Sequence, residues 1–142
     1  MGPGMKIREL QERIKDHLNG IEDLVRKGCK AFAEDTRSVY DESAQWIASG
    51  KVALVVVTPE MSRNGCTANG IAAETSIIVR CIEKAPLAKI ADTLRALDAA
   101  EIVMHALDSS SLYWQSTRQT SDKTARVFTT SVTFSTSVTL SE

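Results

Sequence analysis

The stretch Lys51–Lys84, which reads KVALVVVTPEMSRNGCTANGIAAETSIIVRCIEK, decides the fold of this chain. Two runs rich in β-branched residues, Lys51–Thr58 and Ile71–Glu83, flank a polar segment that contains glycine. This pattern predicts two antiparallel strands joined by a long polar loop over Pro59–Gly70. The first run is continuously apolar at its centre, which indicates a strand buried on both faces.

The second run alternates between two faces. The more apolar face is formed by the odd-numbered residues Ile71, Ala73, Thr75, Ile77, Val79 and Cys81. The other face carries Glu74, Ser76 and Arg80, interrupted by Ile78 and Ile82. We therefore expect one face of this strand on the core and the other partly covered or exposed.

The residues before this stretch predict helices and one short strand. Apolar residues at helical spacing indicate a helix over residues 5–18, a further turn or two near residues 21–25, and a helix over about residues 35–49 that ends at Gly50. Alternation in Cys29–Ala33 predicts the strand. The inner face of the second long helix is expected to hold Val39, Tyr40, Ser43, Trp46 and Ile47.

The residues after the stretch predict one helix and two strands. Ala85-Pro86 ends the preceding strand, and a helix follows from about Leu87 to Leu107. The strands cover Leu112–Thr120 and Thr124–Leu140. The apolar stripe of this helix is expected to consist of Ile90, Leu94, Leu97, Ile102 and Leu107. The last strand alternates, with one face formed by Phe128, Val132, Phe134, Val138 and Leu140.

This order of elements predicts an α+β domain with a mainly antiparallel sheet of four to five strands and helices packed on one face. We interpret residues 1–4 as a remnant of cloning and expect a single domain over residues 5–142. The last strand is long, and as a terminal strand it is expected to leave an open edge. Oligomers commonly pair or cover such edges, so the pattern favours self-association.

Composition argues against several classes of partner. The chain of 142 residues has a net charge of -1, which gives no global field to attract nucleic acid or an anionic membrane, although a local basic patch stays compatible with it. No run approaches the roughly 20 apolar residues of a membrane span. The three cysteines, Cys29, Cys66 and Cys81, lack metal-ligand spacing and indicate free thiols in a reducing setting.

The residues that could carry chemistry form no recognisable catalytic motif. Neither His17 nor His105 has a carboxylate or cysteine at metal-ligand spacing, so we expect no metal and no cofactor. Cys66 could act as a nucleophile only if folding brought a histidine close to it. A further possibility is a site in the polar loop built from Glu60, Arg63 and Asn64, although a mobile polar loop explains these residues equally well.

Two features of the last strands suggest contact surfaces. Tyr113 and Trp114 are adjacent, so one of them must point outward, where it would suit a protein interface. Arg118, Lys123 and Arg126 cluster near the last hairpin. Charges at that density are usually a solvated face, and no aromatic ladder or basic helix accompanies them to indicate specific nucleic-acid binding.

Taken in order, these elements resemble the tail terminator and tail completion proteins of tailed bacteriophages and prophages. The resemblance lies in the arrangement: an amphipathic helix, a short strand and a helix, then a hydrophobic strand leading to proline and a polar tip, as in Val55–Glu60. A second strand ends in charge and proline, as in Val79–Pro86, and a long helix and a hairpin of Thr-rich strands follow. The likeness covers nearly the whole chain from Met5.

The resemblance implies a non-enzymatic structural subunit that assembles as a ring, typically a hexamer. Such a ring caps the tail tube and joins it to the head, so its partners would be tail-tube and neck proteins. The protein would belong to the virion and assemble in the host cytoplasm. Alternatives are another head–tail connector or tube component, or a small cytosolic enzyme or adaptor with a site near residues 59–70. The expected contacts are the edge of the last strand and Glu60, Arg63, Asn64, Thr67, Asn69 and Arg126.

Overall fold

The structure is a computed structural model, and it describes residues 7–34, 37–57, 59–67, 70–84, 95–108, 112–122, 124 and 126–140. The helices are α1 (Ile7–Asn19), α2 (Glu22–Arg26), α3 (Arg37–Ala48) and α4 (Arg95–Leu107). The strands are β1 (Cys29–Ala33), β2 (Val52–Val56), β3 (Glu60–Thr67), β4 (Gly70–Lys84), β5 (Tyr113–Asp122) and β6 (Val127–Leu140).

All six strands belong to one sheet with the order β1-β2-β4-β6-β5, and β3 pairs with β4 beside this path. β1 and β2 are parallel, and the other pairs are antiparallel. The predicted α+β class with a mainly antiparallel sheet is therefore confirmed. Within the described residues the sheet has six strands and not the predicted four to five, because the polar segment adds a strand.

The prediction of a long polar loop after β2 is wrong, because Glu60–Thr67 forms β3. β4 is 15 residues long, so it pairs with β2 along one half and with β3 along the other. Glu60 and Ser62 are exposed, which indicates that ladder hydrogen bonds with β4 hold this strand more than apolar burial does. A hydrophobic pattern therefore could not reveal it. Asn69, another predicted contact residue, lies outside the described residues.

One face of the sheet, which we call the core face, packs against α1, α2 and α4. It consists of the buried side chains Cys29, Ala31, Val52, Leu54, Val56, Ile77, Val79, Cys81, Val132 and Phe134. The helices contribute Ile14, Leu18, Leu24, Ala96, Ala99, Ala100, Val103 and Leu107. The predicted alternation of β4 is confirmed over its described side chains, since Thr75, Ile77, Val79 and Cys81 are buried while Glu74 and Arg80 are exposed.

The predicted apolar stripe of α4 is only partly correct. Leu107 is buried and Ile102 packs partly buried against the core, but Leu97 is 47% exposed. Alanines take the core-facing positions instead, because small side chains let the helix approach the sheet closely. The predicted helical residues Ile90 and Leu94 lie outside the described part of the chain.

α3 lies on the opposite face of the sheet, so the helices occupy both faces and not one. Its Trp46 indole N–H donates to the carbonyl oxygens of Val52, at 2.8 Å, and Gly28, at 3.1 Å. Lys30 points away from the core face, because it alternates with the core-facing residues of β1. Its Nζ lies 5.6 Å from the centroid of the Trp46 ring. Gly50, predicted to end this helix, has a φ of 87°, a conformation that glycine adopts without strain. The helix side chains of Val39 and Tyr40 lie outside the described set.

The free edge of β1 is closed by a side chain of α1. The Asn19 carboxamide accepts from the Ala31 N–H at 2.8 Å through Oδ1 and donates to the Ala31 carbonyl at 3.1 Å through Nδ2. It thus forms the two bonds that a neighbouring strand would otherwise make. Asn19 both ends the helix and protects one edge of the sheet.

Replacement of Asn19 should therefore destabilise the fold. We expect Asn19→Ala to lower the free energy of unfolding by about 1–2 kcal/mol, because both backbone groups of Ala31 lose their partner. Arg13→Ala is the matched control, since Arg13 is an exposed residue of the same helix and should change stability by less than about 0.5 kcal/mol. Urea unfolding followed by circular dichroism measures both variants. Equal effects would show that the edge contact contributes nothing.

Candidate interaction surfaces

β5 forms an open edge of the sheet, and the last strand does not. β6 pairs with β4 on one side and with β5 on the other, so the prediction that the last strand leaves an edge is wrong. The chain runs out along β5 and returns through β6 into the interior of the sheet, which leaves β5 with one partner. Sequence alone does not give strand order, and this is why the edge was assigned to the wrong strand.

Both aromatic residues at the start of β5 are exposed. Tyr113 is 59% exposed and Trp114 is 42% exposed. They point to opposite faces, since Tyr113 pairs with Ser135 and Trp114 with the core residue Phe134. The Trp114 indole N–H donates to Thr117 Oγ1 at 2.9 Å, which fixes the ring beside the strand edge. Exposed aromatic side chains beside an unpaired strand edge are typical of protein interfaces.

The predicted contact residues fall at two separate ends of the sheet. Glu60 begins β3, and the backbones of Arg63, Asn64 and Thr67 follow in the same strand. Arg126 lies at the other end, in the turn from β5 to β6, with a φ of 56° that non-glycine residues rarely adopt. The β4–β6 register separates the ends, because Ile71 pairs with Leu140 whereas Lys84 pairs with Val127. The predicted residues therefore do not form one surface.

The described part of β3 borders a shallow groove that contains two carboxylates. The groove has a volume of about 370 Å³ and is lined by Glu60, Met61, Ser62, Glu74, Thr75, Ser76 and Ser135. Ser137 Oγ donates to Glu74 Oε1 at 3.0 Å. Within the described residues, no group of three histidine, cysteine or carboxylate side chains is placed to hold a metal ion.

The structure does not bring a histidine to this groove. His17 is exposed on α1, and His105 lies in a different cleft, of about 660 Å³, between α2 and α4. Asp23, Lys27, Asp98 and Glu101 line that cleft together with His105. The backbone of Cys66 lies in β3, and its side chain is outside the described set. Glu60 and His105 thus belong to two different surfaces, which weighs against a site that combines them.

The sequence did not reveal a third surface, which we call the open face. It is the side of β4, β6 and β5 that faces away from the core. The strand register assigns to it Glu74, Ser76, Ile78, Arg80, Ile82, Lys84, Tyr113, Ser116, Arg118, Thr120, Asp122, Val127, Thr129, Ser131, Thr133, Ser135 and Ser137. None of these side chains is buried. Alternation within each strand suggests a polar face, but only the pairing register shows that the three faces are continuous.

Comparison with known proteins gives a match of fold and not of sequence family. No protein-family model matches the chain, and no curated protein matches its sequence. Among solved structures, the chain is similar to a chain of the "Virion of native gene transfer agent (GTA) particle". The TM-score is 0.60 at 16% sequence identity, over 92% of this chain and 94% of that chain. The two chains therefore share a fold over nearly their whole length.

Neither of the two cysteines whose side chains are described, Cys29 and Cys81, forms a disulfide bond within the described residues, and both are buried on the core face. Burial raises the pKa of the Cys81 thiol, and the nearby Cys29 adds to this rise. Because the thiolate is the reactive form, a raised pKa and an enclosed sulfur both slow alkylation.

We therefore expect Cys29 and Cys81 to resist iodoacetamide in the native protein at about pH 8 and to react once urea unfolds the sheet. Peptide mass spectrometry after a timed reaction reads each cysteine separately. The unfolded protein serves as the control for intrinsic reactivity. Labelling of native Cys81 at the rate measured in urea would mean that the strands around it open readily.

Proposed function

We propose that this chain is a structural, non-enzymatic subunit of a phage-like particle. The observation that carries the proposal is the shared fold with a chain of a gene transfer agent virion, over more than nine-tenths of both chains. The distribution of surface features also supports it. The described carboxylates and histidines are spread over separate surfaces, whereas exposed aromatic residues flank an open strand edge.

Within such a particle, we propose the role of a tail terminator. The subunit forms a ring, with six copies as the expected number, that caps the tail tube and joins it to the neck of the head. It assembles in the host cytoplasm and remains in the virion. None of the described helices is long and apolar enough to cross a membrane. The arrangement of helices and strands along the chain supports this finer assignment.

The open edge of β5 is the feature that favours assembly. In the described part of the sheet, a side chain closes the edge at β1. β5 has one paired neighbour, and all of its residues except Thr117 are exposed. Long strands with one partner offer backbone groups to a neighbouring chain, and oligomers commonly cover such edges. A ring would cover the edge, and its closure would limit growth to a fixed number of subunits.

The proposal predicts a discrete ring for the isolated protein. Native mass spectrometry should give one main oligomer, and negative-stain electron microscopy should show rings with a central channel. Incubation with the tail-tube protein of the same particle should place rings at tube ends. A strict monomer at high protein concentration, with no binding to tube protein, would contradict it. Long tubes formed by this chain alone would favour the alternative role of a tube component.

A variant at the β5 edge tests whether this edge carries the assembly. Trp114→Ser should weaken the oligomer by roughly tenfold or more in dissociation constant, because an exposed aromatic beside an interface edge commonly contributes 2 kcal/mol or so. Val25→Ser is the control, since Val25 is 56% exposed on α2, away from β5. Sedimentation velocity compares the two variants at matched concentrations. The interface would lie elsewhere if the two variants weakened the oligomer equally. It would also lie elsewhere if Trp114→Ser left the oligomer unchanged while its helix and strand content stayed intact.

A further inference from the structure

The open face carries a local positive charge that the overall composition hides. The half of this face that lies toward the turn between β5 and β6 contains Arg80, Lys84 and Arg118 against the carboxylate of Asp122, whereas Glu74 lies in the other half. The chain as a whole has a net charge of -1. Positive charge is therefore concentrated in one half of the open face, while most of the carboxylates lie on the helices and at other positions.

The register places two of these cations in one row. Arg80 on β4 pairs with Ser131 on β6, which pairs in turn with Arg118 on β5. Two strand spacings therefore separate the two arginines, or about 10 Å between their backbones. Lys84 lies four residues further along β4, about 13 Å from Arg80. All three side chains are exposed, so their charges are available to a partner.

The carboxylates near these three cations do little to neutralise them, and Glu74 lies six residues, or about 20 Å, from Arg80 along β4. Asp122 lies at the far end of β5, where its Oδ1 accepts from the Thr124 N–H at 2.9 Å within the turn. Glu34 Oε2 lies 4.0 Å from Arg80 Nη1, at the limit of an ion pair, and the Arg80 side chain remains 46% exposed. Such an exposed pair holds an arginine weakly.

The open face also presents hydroxyl groups beside and beyond the cations. They belong to Ser76, Tyr113, Ser116, Thr120, Thr129, Ser131, Thr133 and Ser135. Arginine, lysine and hydroxyl side chains are the groups that contact phosphate oxygens in nucleic-acid complexes. A broad sheet face carries no helix or ribbon that could enter a groove and read base edges. This chemistry fits a sugar–phosphate backbone and not a particular base sequence.

We propose that the open face binds the phosphate backbone of DNA without reading its sequence. This extends the expectation that the chain has no specific nucleic-acid binding, since backbone contacts carry no sequence information. The inference rests on the side chains of one sheet face and does not depend on the proposed ring. With three cations on the face of each protomer, binding should be weak and strongly dependent on salt, in the range typical of non-specific contacts.

Fluorescence anisotropy of a labelled mixed-sequence DNA duplex tests the proposal. At about 50 mM salt, the double variant Arg80→Gln/Arg118→Gln should bind roughly tenfold more weakly than the natural chain. The slope of log K against log salt should be about −2.7 for three phosphate contacts, and it should become shallower by about 1 for each arginine removed. A second duplex of unrelated sequence should bind equally well.

Arg13→Gln/Lys27→Gln is the matched control, because it changes the net charge equally on exposed residues of the helical side of the molecule. It should leave DNA affinity within about twofold of the natural chain.

An equal loss of DNA affinity in both double variants would overturn the inference, as would absence of DNA binding at low salt. Stronger displacement of the protein by polyglutamate than by unlabelled DNA would also overturn it and would indicate an acidic protein partner. Native mass spectrometry of the same samples separates the two proposals, since rings that bind no DNA refute only this one.

Discussion

The ladder between β4 and β6 is the constraint on which the rest of the structure depends. It runs from the pair Ile71–Leu140 to the pair Lys84–Val127 without a break in register. β2 and β3 share the other side of β4, and β5 adds to the other side of β6. Because side chains alternate with a period of two, a slip by one residue would exchange the core face with the open face. The register is fixed because it buries Ile77 in the core and leaves Arg80 exposed on the other face.

Two buried polar contacts connect the strands of the sheet to the helices. The carboxylate of Glu83, which is 4% exposed, accepts from the Ala96 N–H at 2.7 Å, at the first turn of α4. A carboxylate in this position satisfies a backbone donor that the helix leaves unpaired and complements its dipole. The Gln11 carboxamide of α1 similarly donates to the Val56 carbonyl at 2.8 Å. Such bonds are directional, so they set where each helix lies on a core face whose apolar contacts alone are less selective.

The sequence predicted the elements whose burial leaves a periodic signal. Cys29–Ala33 was predicted with the bounds that β1 has, and the alternation of β4 correctly separated its faces. β3 was missed because its described side chains, such as Glu60 and Ser62, are polar and exposed, so its ladder bonds have no counterpart in hydrophobicity. The candidate surfaces were harder to predict, since they arise from strand order. Arg80 and Arg118 are far apart in the chain, and only their common neighbour Ser131 shows that they share a row.

Strand β5 separates two kinds of interaction by the same alternation that builds the core. Trp114 points to the side of the core and α4, whereas Arg118 points to the open face. The edge between them carries backbone hydrogen-bonding groups that neither side chain occupies. A partner subunit that covers the edge would therefore leave the open face accessible, and a polyanion on that face would not compete for the edge. Assembly and backbone binding can thus coexist on one strand, because a β-strand offers two faces and an edge to different partners.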